Sequence, residues 1–326
     1  MATSDLERFF GYMQVFEMAW LTDDWSGLGD CFRADARYDA VDAGPFGAGG
    51  TGREGVVAAL RASTRSVDRR FDVRIPEIVE GPTSRADGIF MRYTLTLRRA
   101  GVPDFVSLGE HVATYDGGRI ARLVDTPAPG TGARLAAYLA EHGARLRPAG
   151  APLETNLDAR DLRDLDRVTA RTLARAYGAA KSEQDFGAAL AVCSPGFVLD
   201  TPSLGVVAHD RDEARAQLAT FFAVFPDYRF TVEGLAAEGS DVACWGRVRM
   251  TFAGRLFELA PTGRTAELPA VSVFSYAGGA LAGERFFFDL ATLCAQIGVS
   301  VDDLNAALAP VRPAEPAAAR VAVAGG

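Results

Sequence analysis

One pattern occurs twice in this chain, about 160 residues apart, and that repetition limits the fold more than any other feature. Asp30-Cys-Phe-Arg-Ala-Asp-Ala-Arg-Tyr-Asp39 is echoed by Val192-Cys-Ser-Pro-Gly-Phe-Val-Leu-Asp200, each a helix end, a turn and a short strand closing on aspartate. Arg69-Arg-Phe-Asp-Val73 parallels Tyr228-Arg-Phe-Thr-Val232, and Glu80-Gly81 parallels Glu238-Gly239. Tyr115-Asp-Gly-Gly-Arg-Ile120 parallels Tyr276-Ala-Gly-Gly-Ala-Leu281. A length of 326 residues holds two domains of ordinary size, so the repeat is read as two copies of one fold.

Each copy opens with a long helix of helical apolar spacing, 4–22 and 161–182. A shorter helix follows, near 24–33 and 185–193, then the short strand and a third helix, Arg53 to Val67 and Asp210 to Phe225. Four alternating strands come next, near 70–80, 86–99, 104–116 and 119–125, and again near 228–238, 241–257, 264–276 and 280–288. A closing helix ends each copy, 131–145 and 290–297. Helices followed by a run of antiparallel strands predict an α+β fold with helices on one face of a curved sheet. The expected domains are 1–146 and 161–305, joined by a linker over 147–160 and followed by a disordered Ala/Pro-rich tail over 306–326. Two fused cones of this kind are expected to pack sheet to sheet as an internal pseudo-dimer; a further homodimer is left open.

Composition excludes several function classes. A net charge of −8 would repel nucleic-acid phosphates, so no nucleic-acid partner is expected. No apolar run approaches the roughly 20 residues of a membrane span, and the N-terminus lacks a signal-peptide layout, so a cytoplasmic protein with no membrane partner is expected. Cys31, Cys193, Cys244 and Cys294 lie far apart without nearby histidines, which points to free thiols and to no metal site. Gly47-Ala-Gly-Gly-Thr-Gly-Arg53 lacks the lysine of a phosphate loop and the spacing of a dinucleotide fingerprint, and no cofactor is expected.

Three segments of the second copy carry a family resemblance: Phe225-Pro-Asp-Tyr-Arg-Phe-Thr-Val-Glu-Gly-Leu-Ala-Ala-Glu-Gly239, Pro261-Thr-Gly-Arg-Thr-Ala-Glu-Leu-Pro-Ala-Val-Ser-Val-Phe274 and Gly283-Glu-Arg-Phe-Phe-Phe-Asp-Leu-Ala-Thr-Leu-Cys-Ala-Gln-Ile-Gly298. They resemble the SnoaL-like polyketide cyclases of the nuclear transport factor two-like superfamily. The first copy is similar by pattern, best at Asp116-Gly-Gly-Arg-Ile-Ala-Arg-Leu-Val-Asp125. The resemblance implies two tandem cone-shaped α+β barrels. It also implies enzymes that work without metal or nucleotide, one or two carboxylates moving protons in an apolar cone. The superfamily also contains non-catalytic proteins, so the site has to decide the function.

The sharpest candidates are His111 and Asp125. The turn at Gly117-Gly118 makes them near-opposite residues of neighbouring strands, His111 sharing a face with Ala113 and Tyr115, and Asp125 with Ala121 and Leu123. On the inner face they would put an imidazole beside a carboxylate, the pair that abstracts an acidic α-proton; on the outer face they would be a turn cap and an ordinary strand residue. Tyr12, Phe16 and Trp20 form one helical stripe, read as core or as substrate lining. Asp39, with Asp42 beside it, is a candidate second carboxylate, and Arg92 or Tyr12 a candidate oxyanion partner. In the second copy the Gly-Gly register places Phe286 and Ser272 where Asp125 and His111 stand, which leaves Asp289, in a natural N-cap position, and Arg247 and Arg249 as candidates. Glu284 reads as an exposed charge, His142 as a helix C-terminal residue and His209 as a surface residue.

Two readings from different classes follow. One is a cofactor-independent cyclase or isomerase acting by general acid–base chemistry on a bulky apolar oxygenated small molecule of secondary metabolism. Its enzymatic alternative is an epoxide-opening hydrolase or cyclase. The other is a non-catalytic ligand-binding or scaffold protein of two cones.

Overall fold

A computed structural model describes residues 3–154 and 157–312. Its element order repeats as the sequence does. In the first copy come α1 (Asp5–Thr22), β1 (Phe32–Ala40), β2 (Gly50–Thr51), α2 (Gly52–Ser66), β3 (Val73–Arg85), β4 (Gly88–Arg98), β5 (Phe105–Asp116), β6 (Arg119–Pro127) and α3 (Thr131–His142). The second runs α4 (Ala159–Ser182), α5 (Phe186–Ala191), β7 (Cys193–Thr201), β8 (Val206–Ala208), α6 (Arg211–Val224), β9 (Arg229–Glu238), β10 (Asp241–Thr251), β11 (Thr265–Ala277), β12 (Ala280–Phe288), α7 (Leu290–Ile297) and α8 (Val301–Leu308). The two six-stranded sheets have one topology, β2-β1-β6-β5-β4-β3 and β8-β7-β12-β11-β10-β9. The expected tandem α+β architecture is what the chain adopts.

Local sequence explains these elements. Ser4 caps α1 by accepting from the Glu7 N–H at 3.0 Å, and Asp23 ends it in the left-handed region at φ 61°. The Gly117-Gly118 and Gly278-Gly279 pairs all have positive φ, the conformation a two-residue hairpin demands. The second helix expected near 24–33 shrinks to a single 3₁₀ turn, Leu28–Cys31, because Gly27 and Gly29 weaken so short a segment. Helix α8 and a 3₁₀ turn over Ala309–Val311 carry the ordered chain past Ala306, where a disordered tail was expected. Leu304 and Leu308 are buried, and Arg312 donates to the Leu204 carbonyl at 2.8 Å, which hold this end down. The tail beyond residue 312 lies outside the described residues.

The chain divides into two compact units: Met1–Ser194 with Leu235–Ala243 and Ser275–Leu281, and Pro195–Gly234 with Cys244–Phe274 and Ala282–Gly326. In the first, α1 and α3 lie on the inner face of the sheet, where Val67, Phe71, Leu95, Leu97, Phe105, Leu135 and Leu146 form one cluster. Helix α4 covers the outer face of β3, with Val168 packed on Val73 and Ile75. Among the described residues, no helix is long and apolar enough to cross a membrane. None of the four cysteines is in a disulfide.

Candidate active site

Strand register places the first-copy candidates. His111 is the direct partner of Asp125 across β5–β6 and of Met91 across β4–β5. Ala113 and Leu123, on the same face, are fully buried, so this face is the inner one. Tyr93, opposite Gly109 on β4, shares it. Its phenol reaches diagonally over the glycine, and the hydroxyl donates to Asp125 Oδ1 at 2.8 Å. Gly109 makes this approach feasible: a Cβ there would stand 3.0 Å from the Tyr93 hydroxyl and 3.1 Å from Cζ.

His111 and Asp125 are neighbours without being hydrogen-bonded. Asp125 takes its bond from Tyr93, and the buried Nε2 of His111 has no partner. The imidazole lies among aromatic rings, with centroids 6.0 Å from Phe9, 6.1 Å from Tyr12 and 6.3 Å from Tyr93. Burial pushes its pKa down, and the Asp125 charge opposes this only in part, so the neutral imidazole is favoured. Tyr93, His111 and Asp125 are each half-buried. Burial, reinforced by the Asp125 charge, holds the Tyr38 and Tyr93 phenols in the protonated, donating form.

The α1 stripe lines the same interior. Tyr12 is buried and packs 5.7 Å from Phe32 and 6.2 Å from Phe16. Trp20 is buried with its indole N–H unpartnered. Farther along this face stands a group that the sequence reading missed. Arg74 Nε donates to Asp68 at 2.9 Å, and its Nη1 meets both oxygens of Glu17 at 2.6 and 2.7 Å. Its guanidinium lies 5.4 Å from the Phe16 ring centroid and 6.0 Å from that of Trp20.

Other candidates stand elsewhere. Arg92 is on the outer face, paired with Glu110 at 2.6 Å and Glu80 at 2.7 Å, and cannot serve an oxyanion inside the cone. Asp39 takes bonds from Arg37 at 2.6 Å and Arg122 at 2.9 Å; burial opposes its ionisation, but the two arginines outweigh it. It is a paired strand residue, and Asp42 is exposed. Asp289 is exposed and caps α7 by accepting from the Thr292 N–H at 2.6 Å. Arg247 pairs with Glu267 at 2.9 Å and Arg249 with Asp227 at 2.7 Å, both at the surface. Glu284 corrects the expectation of an exposed charge: it is 2% exposed and accepts from the Ser272 hydroxyl at 2.7 Å. Strand alternation, with Arg285 facing solvent, turns it inward.

Sequence signals for the missed groups are uneven. Tyr93 follows from register once β4 is paired to β5, because residues opposite a glycine can lean across it. Asp68 and Arg74 sit in a charged run, Asp68-Arg-Arg-Phe-Asp-Val-Arg74, that reads as a solvated turn. Among the described residues, no group of three or more His, Cys, Asp or Glu side chains is placed to hold a metal ion.

Fold and site together define a tandem α+β protein whose first copy holds a carboxylate, an imidazole and phenols on the aromatic inner face of its sheet. Residues 171–297, within the second copy, match the profile of the SnoaL-like polyketide cyclase family. No curated protein matches the chain. Among solved structures, a proposed SnoaL-like polyketide cyclase from Jannaschia sp. CCS1 is 21% identical, over 41% of this chain and 94% of its own, with TM-score 0.39. A protein of ketosteroid isomerase-like fold from Catenulispora acidiphila is 16% identical over 40% and 95%, with TM-score 0.36. A proposed polyketide cyclase from Streptomyces antibioticus is 23% identical over 40% and 99%, with TM-score 0.36.

Proposed function

We propose that the protein is a cofactor-independent cyclase or isomerase acting on a bulky, apolar, oxygenated small molecule of the polyketide kind, with Asp125 as general base. The two copies, 1–146 and 161–305 about the 147–160 linker, divide the work: the first does the chemistry. The observation that carries this reading is Asp125 itself, a half-buried carboxylate on the inner sheet face, oriented by the Tyr93 hydroxyl among aromatic rings.

Asp125 removes a proton from carbon next to a carbonyl. The negative charge then develops on the carbonyl oxygen, where a neutral His111 with its proton on Nε2 donates a hydrogen bond. Tyr93 keeps one carboxylate oxygen occupied and leaves the other for the substrate. The enolate carbon is then reprotonated, which isomerises the substrate, or attacks a second carbonyl, which closes a ring.

Asp125→Asn tests this directly. With acetonylacetone as probe in heavy water, deuterium uptake at the α-carbons is expected to fall at least about 100-fold, the scale of a lost general base, while the melting temperature holds. Glu284→Gln is expected to keep uptake within about twofold. Full uptake by the Asn variant would eliminate Asp125 as base.

A further inference from the structure

We propose that Asp68 is the second carboxylate of this site and delivers a proton to substrate oxygen while Asp125 takes one from carbon. The proposal rests on the reading of Asp125 as base and adds the group that protonates the acceptor oxygen when the enolate closes a ring on a second carbonyl.

Asp68 begins the 3₁₀ turn Asp68–Arg70 after α2 and is only 6% exposed. Its hydrogen bond comes from Arg74 Nε at 2.9 Å. Arg74 is opposite Leu97 on β4, and Ile78, four residues on, is opposite Tyr93, so Arg74 and Tyr93 share the inner face with Asp125. Three carboxylates thus share this interior with one guanidinium: Glu17, Asp68 and Asp125 against Arg74. Glu17 is half-exposed and takes two of the arginine's contacts. Asp125 is half-buried and holds the Tyr93 bond. Asp68 is the deepest of the three and has the single Nε contact, so protonating it relieves the most repulsion and desolvation.

The electrostatics agree. Burial pushes the Asp68 carboxyl up; Arg74 pulls it back in part, and Glu17 and Asp125 push it further up. The Tyr38 hydroxyl lies within reach of the charges of both Asp68 and Asp125. A buried carboxyl pushed towards its neutral form is what the acid role requires. In the step itself, the α C–H bond breaks to Asp125 as the new C–C bond forms. The acceptor carbonyl becomes a hydroxyl with the proton from Asp68. Asp125 ends protonated and Asp68 ionised, and exchange with water restores both.

Carbon-detected NMR of aspartate-labelled protein provides the first test. The carboxyl signal that disappears in Asp68→Asn is expected to titrate above the other aspartates, and to move down in Asp125→Asn. Titration within or below the ordinary aspartate range would overturn the proposal, whatever the probe does. The second test uses acetonylacetone, following deuterium uptake and closure to 3-hydroxy-3-methylcyclopentanone, counted together with the methylcyclopentenone it gives on loss of water. Asp68→Asn, a neutral isostere that keeps an acceptor for Arg74, is expected to retain uptake but lose closure at least tenfold, with Asp68→Glu restoring part of it. Closure at the normal rate in Asp68→Asn sinks Asp68 and leaves Asp125 standing. Undiminished uptake in Asp125→Asn sinks the base reading instead.

Discussion

Tyr93 and Gly109 show how one missing side chain sets a catalytic geometry. The phenol lies so close over Gly109 that a Cβ there would stand 3.0 Å from its hydroxyl, and in this position it donates to Asp125. Tyr93→Phe is expected to lower unfolding free energy by about 1 kcal/mol, the net value of one hydrogen bond. Gly109→Ala should cost a similar amount by displacing the ring. The double variant should lose clearly less than the sum, since both changes break one contact; a urea double-mutant cycle measures this, and additivity would refute the coupling. His111 supplies a pH signature. Its folded pKa is depressed below the unfolded value near 6.5, so the unfolded chain binds the proton first and stability falls as pH drops below that value. His111→Gln should flatten that slope in urea titrations run between neutral and mildly acidic pH.

Helix ends and strand pairs do the positioning at the next scale. Asp23 closes α1 and clamps it to α2: it accepts from Arg65 Nε at 3.1 Å and Nη2, and from the Trp25 indole at 2.9 Å. The Arg65 bond leads in holding its carboxyl down, from 3.8 to about 2. A depressed carboxylate stabilises the fold above its unfolded pKa, and that stability is lost as pH falls from about 4 towards 2. Asp23→Asn keeps a residue tolerant of the left-handed conformation and removes only the charge. After allowance for solvent screening it should cost about 1 kcal/mol at neutral pH and nothing below pH about 2, as followed by thermal unfolding. A pH-independent loss would mean that the clamp is not electrostatic. The positive-φ Gly117-Gly118 hairpin starts the β5–β6 pairing, and a register shift between Thr114 and Tyr115 then brings His111 opposite Asp125.

Across the whole molecule, the boundary between the copies is tied down. Arg147, at the start of the linker, is buried and donates to the carbonyls of Arg69 at 2.8 Å and Phe71 at 2.9 Å. Arg98 binds Asp161 on α4 at 2.6 Å, Asp164 at 3.2 Å and Asp104 at 3.1 Å, which joins the second copy's opening helix to the first sheet. Arg98→Ala strands the buried Asp161 charge and should cost about 3 kcal/mol in urea unfolding. Arg98→Lys should recover only part, because an ammonium cannot fork between three carboxylates. Loss of less than about 0.5 kcal/mol would show that the network is mere surface pairing.

The sequence alone determined what depends on neighbours along the chain. The repeat, the strand and helix pattern and the near-opposition of His111 and Asp125 are legible because a two-residue turn sets register to within one residue; the shift between Thr114 and Tyr115 that makes the two direct partners is not. The inward direction of that pair, the Tyr93 bond and the Asp68–Arg74–Glu17 group were decided by tertiary structure. They join residues from α1, the turn after α2, β3, β4 and β6, and no local periodicity records which face of a sheet a distant helix will cover. Arg92 and Glu284 make the same point: each belongs to an alternating strand, and packing alone chose solvent for one and the interior for the other.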